Sequence, residues 1–164
     1  KVLALPLSFP YGGMENPLLT FVTSSIIAGD KSGFWIFVHE LSHSWFGNLI
    51  TNANWTDFWI NEGFTMFAER KINSKLLGIE QTKVMAKYTN SSMVLNMESF
   101  GLDSHMTSLH PDLSDVHPDD YISLVPYEKG YQFLVYLESL YGEEQFSRFI
   151  KASIYNFSLK SVSY

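Results

Sequence analysis

The pentapeptide His39-Glu40-Leu41-Ser42-His43 constrains this chain more than any other stretch. Residues four apart share one face of an α-helix, so two imidazoles can point at a single ion. Glu40 falls on the neighbouring flank, near such an ion without having to be a ligand. A chain of this composition meets H-E-x-x-H by chance about once in a hundred, so its setting has to decide. Residues 32–38 (S-G-F-W-I-F-V) and 44–50 (S-W-F-G-N-L-I) are almost all apolar or small. The run predicts a helix from Asp30 or Ser32 to about Leu49, buried on every side. Such a helix holds two histidines and a glutamate only if something satisfies them, and a metal ion does so at low cost.

Around this segment the chain reads as mainly α with a small β edge. Residues 1–24 are strand and loop, punctuated by Pro6, Pro10, Gly12, Gly13 and Pro17. Leu18 to Thr23 is the one good strand, and a lone strand predicts sheet partners upstream of the chain. A second helix is expected from Thr56 or Asp57 to Gly78, and a more exposed one from Glu80 to about Phe100, weakened by Asn90-Ser91-Ser92. Residues 101–125, with five aspartates, read as loop. Pro126 opens a helix that runs from Tyr127 to about Tyr141. A last amphipathic helix spans Glu143 to Asn156, with Phe146, Phe149, Ile150 and Ile154 inward. Residues 25–164 thus form the helical, metal-binding part of a single unit, 1–164.

Composition closes off several classes. With 46% hydrophobic and 16% aromatic residues the chain is no disordered segment. A net charge of -6 without a basic cluster argues against nucleic acid as a partner. No uncharged apolar run is long enough for a membrane span. The absence of cysteine excludes zinc–thiolate sites and favours a cytoplasmic setting. The chain begins without Met or a signal peptide and reads as a cut from a longer polypeptide.

A catalytic zinc takes three protein ligands and leaves one position open. His39 and His43 supply two. Glu62, in Asn61-Glu62-Gly63, supplies the third if the first two helices pack as an antiparallel pair. Glu69 lies on the same face and can hydrogen-bond a ligand histidine from behind. The plain alternative is a satisfied core histidine and a solvated helix glutamate. His105, His110 and His117 also tempt a metal reading, but in an Asp- and Pro-rich loop they read as surface residues.

H-E-x-x-H, then N-E-G, preceded by Gly12-Gly13-Met14-Glu15-Asn16, resembles the gluzincin aminopeptidases, whose catalytic domain is similar to thermolysin. The G-G-M-E-N form is similar to the branch holding leukotriene A4 hydrolase and aminopeptidase B. Thr51-Asn52-Ala53-Asn54-Trp55 and Gly63-Phe64-Thr65-Met66 resemble the latter, Tyr11 and Val125-Pro126-Tyr127 the former. The resemblance implies a zinc aminopeptidase with one Zn2+ on His39, His43 and Glu62, and Glu40 as general base. It implies that Glu15 binds the free α-ammonium of a peptide, within a substrate-binding stretch of Gly12, Gly13, Met14, Glu15 and Asn16. It gives Tyr127 the role of oxyanion donor. Read without it, Gly12-Gly13 is a plain turn and Glu15 is exposed. Leukotriene A4 hydrolase opens a lipid epoxide, and its epoxide-associated aspartate falls on Asp119. Its nearby tyrosine falls on Ile122, which counts against lipid chemistry. An inactive fragment or a non-catalytic relative completes the alternatives.

Overall fold

The structure is a computed structural model and describes residues 1–163. Three short strands form one sheet in the order β1-β3-β2: β1 Val2–Leu5, β2 Gly13–Met14 and β3 Thr20–Thr23. β1 runs parallel to β3 with Val2 opposite Thr20, and β2 runs antiparallel with Gly13 opposite Val22. The strand expected to stand alone therefore has both partners within the chain. Pairing on both edges satisfies its amides locally. It starts at Thr20 because Leu18 takes a positive φ of 67° and is exposed.

Helix α1 covers Phe34–Ser42 and is shorter than the apolar run that predicts it. The Ser42 hydroxyl donates to Val38 O (2.8 Å), and the chain then folds back through Gly47, whose φ is +117°. This turn carries the Phe46 carbonyl to His43, which a helix continued to Leu49 could not do. Nor is α1 buried on every side. Val38, His39, Glu40 and Ser42 are buried, while Phe34, Trp35 and Leu41 are exposed. After the turn, β4 Ile50–Asn52 pairs in parallel with β5 Lys160–Val162, near the chain's end.

Helix α2, Phe58–Leu76, is the centre of the molecule; α1, α3 (Ile79–Phe100), α5 (Gly130–Tyr141) and a π-helical turn all pack on it. Asp57 sits at its N-cap, yet the carboxylate accepts from Ser163 Oγ (2.7 Å) and meets His110 Nδ1 (3.1 Å) instead of capping. On one side Trp59, Ile60 and Phe67 form the core with Leu134 and Phe146. On others the same helix buries Glu62, Thr65, Glu69, Arg70 and Asn73, an unusual load of polar groups that only partners on neighbouring elements can satisfy.

Beyond Gly78, at φ +95°, α3 Ile79–Phe100 runs unbroken through Asn90-Ser91-Ser92. The hydroxyls of Ser91 and Ser92 donate back to Lys87 O and Tyr88 O and so do not compete with the helix. The predicted loop contains one 3-10 turn, His105–Thr107, and the short α4 Pro118–Tyr121. Pro126 does not open an α-helix: Val125–Lys129 form the π-helical turn, and α5 follows as Gly130–Tyr141. In α6, Glu143–Phe157, Phe146 is buried but Phe149 is exposed, against expectation. No helix among the described residues is long and apolar enough to cross a membrane.

Candidate metal centre

Where α1 meets α2, three atoms converge. His39 Nε2 and His43 Nε2 are 3.2 Å apart, and each is 3.3 Å from Glu62 Oε2. The other nitrogen of each imidazole is already engaged. His39 Nδ1–H donates to Glu69 Oε2 (3.0 Å), and Asn73 Nδ2 donates to Glu69 Oε1 (3.2 Å). His43 Nδ1–H donates to Phe46 O (2.8 Å), and the same carbonyl accepts from Thr65 Oγ1 (2.9 Å). With these tautomers, assigned from the hydrogen bonds, both Nε2 atoms present lone pairs. Glu62 Oε2 is buried without a hydrogen-bond partner. With each Nδ1 already engaged, the two Nε2 atoms and Glu62 Oε2 can share only a cation between them, a proton or a metal ion. Around an ion with bonds of ~2.0–2.2 Å, tetrahedral ligands stand roughly 3.3–3.5 Å apart, which these spacings match.

The charge balance points the same way. His39, His43 and Glu62 are all buried. Burial opposes charge on His39, but Glu62 and Glu69 outweigh it and lift its pKa to about 10. His43 moves up as well: burial pulls it down, and Glu62 more than compensates. Burial resists charge on Glu62, yet His43 and His39 hold it at about 2. A site that draws protons this strongly onto imidazole offers the same field to a metal ion, whose binding displaces those protons.

Glu40 is buried beside the triangle without joining it. Burial lifts its pKa to about 7, with His39 and His43 opposing and Glu15 and Glu62 adding. Its path is cleared by Gly13, where a Cβ would collide with the Glu40 carboxylate. Gly13 is therefore open toward Glu40, whereas a Cβ on Gly12 would meet only Ile36 at ordinary contact distance. Glu15, Glu40 and His43 have ligand-type atoms within 4.8 Å of one another, so Glu15 belongs to the site and is not an exposed residue. Asn48 Nδ2 donates to Glu15 O (2.7 Å) and ties the strand edge to the turn after α1. Met14 is exposed, and Asn16 is half-buried.

The Tyr127 ring stacks on His39 with centroids 6.0 Å apart and meets Phe58 edge-on. Burial, together with the charges of Glu62, Glu15 and Glu40, raises its phenol well above the ordinary tyrosine pKa. It is a neutral hydrogen-bond donor at any physiological pH.

Asp119 is not among these groups. It lies on α4 with its side chain 75% exposed, 3.7 Å from His117, and Ile122 beside it is exposed. His105, His110 and His117 form no metal-type cluster among the described residues. The sequence reading missed Thr65, Asn48 and Gly47. A Cβ at Gly47 would lie 2.8 Å from His43 Nδ1 and 3.4 Å from Glu15 Oε1. Gly47-Asn48 has the composition of a turn, though the apolar run masks it; Thr65, quoted above only within a family-like tetrapeptide, has no spacing that ties it to His43.

The whole of residues 1–164 matches the Peptidase family M1 domain. The chain is 47% identical over 163 residues to aminopeptidase B of Rattus norvegicus, covering 98% of this chain and 25% of that protein. It is also 47% identical over 163 residues to leukotriene A-4 hydrolase of Xenopus laevis, covering 99% and 27%. Its fold superposes on native leukotriene A4 hydrolase from Saccharomyces cerevisiae with a TM-score of 0.91 at 40% identity, over 98% of this chain and 26% of that one. The chain thus spans about a quarter of the length of the curated relatives it matches.

Proposed function

Because the chain belongs to peptidase family M1, we propose that residues 1–164 are the metal-binding part of a thermolysin-like catalytic domain whose parent is a zinc aminopeptidase. The observation that carries this is the triangle of His39 Nε2, His43 Nε2 and Glu62 Oε2, whose imidazoles are each tied down at Nδ1, with two further carboxylates at its rim. His39, His43 and Glu62 would hold one Zn2+. Bound there, zinc would act as a Lewis acid and make water a nucleophile near neutral pH.

The remaining work falls to the chain's own groups. Glu40 accepts a proton from the attacking water and returns it to the leaving amine as the C–N bond breaks. Its burial favours this exchange, because a carboxylate lifted toward neutrality both takes and gives a proton readily. The Tyr127 phenol donates to the oxygen that becomes negative in the tetrahedral intermediate. Glu15 receives the substrate's α-ammonium by a charge-assisted hydrogen bond. Its closeness to Glu40 supports removal of one residue at a time. The amino nitrogen and carbonyl carbon of one residue are only ~2.5 Å apart, so a carboxylate this near the base leaves no space for a second residue.

The test uses the full native polypeptide containing this sequence and a panel of aminoacyl amides, free and N-acetylated. Free amides should be hydrolysed, acetylated ones at least ~10-fold more slowly. Glu15→Gln should cost the free amides at least ~10-fold in kcat/KM, the worth of one charge-assisted contact. Equal rates for free and acetylated substrates would mean that the ammonium is not read, and the aminopeptidase reading would fall.

A further inference from the structure

Tyr127 sits in a turn that is held from its far side. In the π-helical turn Val125–Lys129, Tyr127 faces His39 while its neighbour Glu128 points away, into a buried ion pair with Arg70 of α2. The contact is a two-pronged fork: Arg70 Nη2 donates to Glu128 Oε2 (2.6 Å) and Nη1 to Oε1 (3.2 Å). Arg70 is 5% exposed and Glu128 1%. The guanidinium also donates to Thr89 of α3 (2.6 Å) and lies 3.9 Å over the Tyr131 ring of α5, while Gln132 donates to Glu128 (3.2 Å). Four elements meet at this one pair.

Its geometry concerns the metal triangle directly. Arg70 and Glu62 are on the same rigid helix, so whatever Arg70 fixes is fixed relative to Glu62. The chain touches α2 at a second point directly after the turn: a Cβ on Gly63, next to Glu62, would stand 2.9 Å from Cα of Gly130, the first residue of α5, and 3.4 Å from Pro126 O in the turn itself. There the backbones meet directly, and a side chain on either glycine would push them apart. One contact brackets each end of the stretch 128–130, and Tyr127 leads into it. A buried ion pair is a poor way to gain stability, because desolvating two charges offsets most of their attraction. What a bidentate fork supplies is direction: it fixes both the distance and the angle of the carboxylate.

We infer that the Arg70–Glu128 pair is a positioning device that holds the Tyr127 phenol at the metal centre. It touches neither substrate nor metal. The inference rests on the reading of Tyr127 as oxyanion donor given above.

A double-mutant cycle on the full native polypeptide tests it, with kcat, KM and zinc content measured for Tyr127→Phe, Glu128→Gln and the pair. Tyr127→Phe should lower kcat by ~10²-fold or more, the usual cost of losing one oxyanion donor. Glu128→Gln should lower kcat at least ~10-fold with KM within about 2-fold and one zinc retained. In the Tyr127→Phe background it should cost nothing further, because a device that acts through the phenol has nothing left to position. Arg70→Lys keeps the charge but loses the fork, and should repeat the pattern. It replaces Glu128→Gln in the cycle if that variant loses its cooperative melting transition. Independent, multiplying losses would overturn the inference and leave a purely structural pair, as would loss of zinc alongside kcat or an unchanged kcat in Glu128→Gln. An unchanged kcat in Tyr127→Phe would instead remove the oxyanion role itself, and the inference with it.

Discussion

Two stretches of this chain are rich in histidine, and they behave oppositely. Residues 39–43 carry two and residues 105–117 carry three. In the first, both imidazoles are buried and each Nδ1 is tied down, one by the Glu69 carboxylate and one by the Phe46 carbonyl. In the second, the His117 side chain is 69% exposed and caps its own short helix, accepting from Asp119 N (3.3 Å), while His110 pairs with Asp57. By histidine count alone the second stretch would be favoured. The difference lies in the support: α2 lays Glu62, Thr65 and Glu69 along one side, and each reaches α1 or the turn after it. A metal site is made by the groups that orient its ligands as much as by the ligands.

The strongest way to break this contrast is to remove one ligand from each stretch. His43→Ala in the full native polypeptide should take zinc from one per chain to near zero, by elemental analysis after dialysis against a weak chelator. His117→Ala should leave it at one. Zinc retained by the first variant, or lost by the second, would erase the distinction. A smaller effect separates base from ligand within the first stretch. Glu40→Gln preserves shape but cannot take a proton, so kcat should fall at least ~10²-fold while zinc stays bound. Loss of the metal in that variant would make Glu40 a ligand. The smallest effect concerns the support alone. Glu69→Gln leaves all three ligands in place but weakens the grip on His39 Nδ1, and zinc affinity should drop by ~10–100-fold in competition with a chelating dye. An unchanged affinity would mean that the buried Glu69–Asn73 pair serves only the core.

Much of this was legible beforehand because it depends on periodicity. The i, i+4 spacing of His39 and His43 needs only one helical turn, and α1 provides it, with His43 at its C-cap. The stop of helix α2 before Gly78 came from a breaker signal acting within a few residues, whereas the cap expected from Asp57 is not made. Less was legible where distant groups compete for a segment. The apolar run to Leu49 favoured a longer helix, and a bond between His43 and the Phe46 carbonyl ended it early. Pro126 signalled an α-helix start, but the buried carboxylate of Glu128 and the Gly63–Gly130 contact accompany a wider π turn. Leu18 to Thr23 was read as lacking partners because β2 is only two residues long and β1, though as long as β3, runs straight into Pro6.

The sequence by itself determined which residue types could bind a metal, which helix carried each, and the family whose motifs they share, because these follow from local spacing and composition. Tertiary structure alone decided that Glu62 Oε2 stands 3.3 Å from both imidazoles and that Gly13 leaves room for Glu40. It alone turned Glu128 away from the site to meet Arg70. Each of those is a contact between residues far apart in the chain, set by how α2 packs against its neighbours, and no short stretch of sequence encodes the distance across a packed interface.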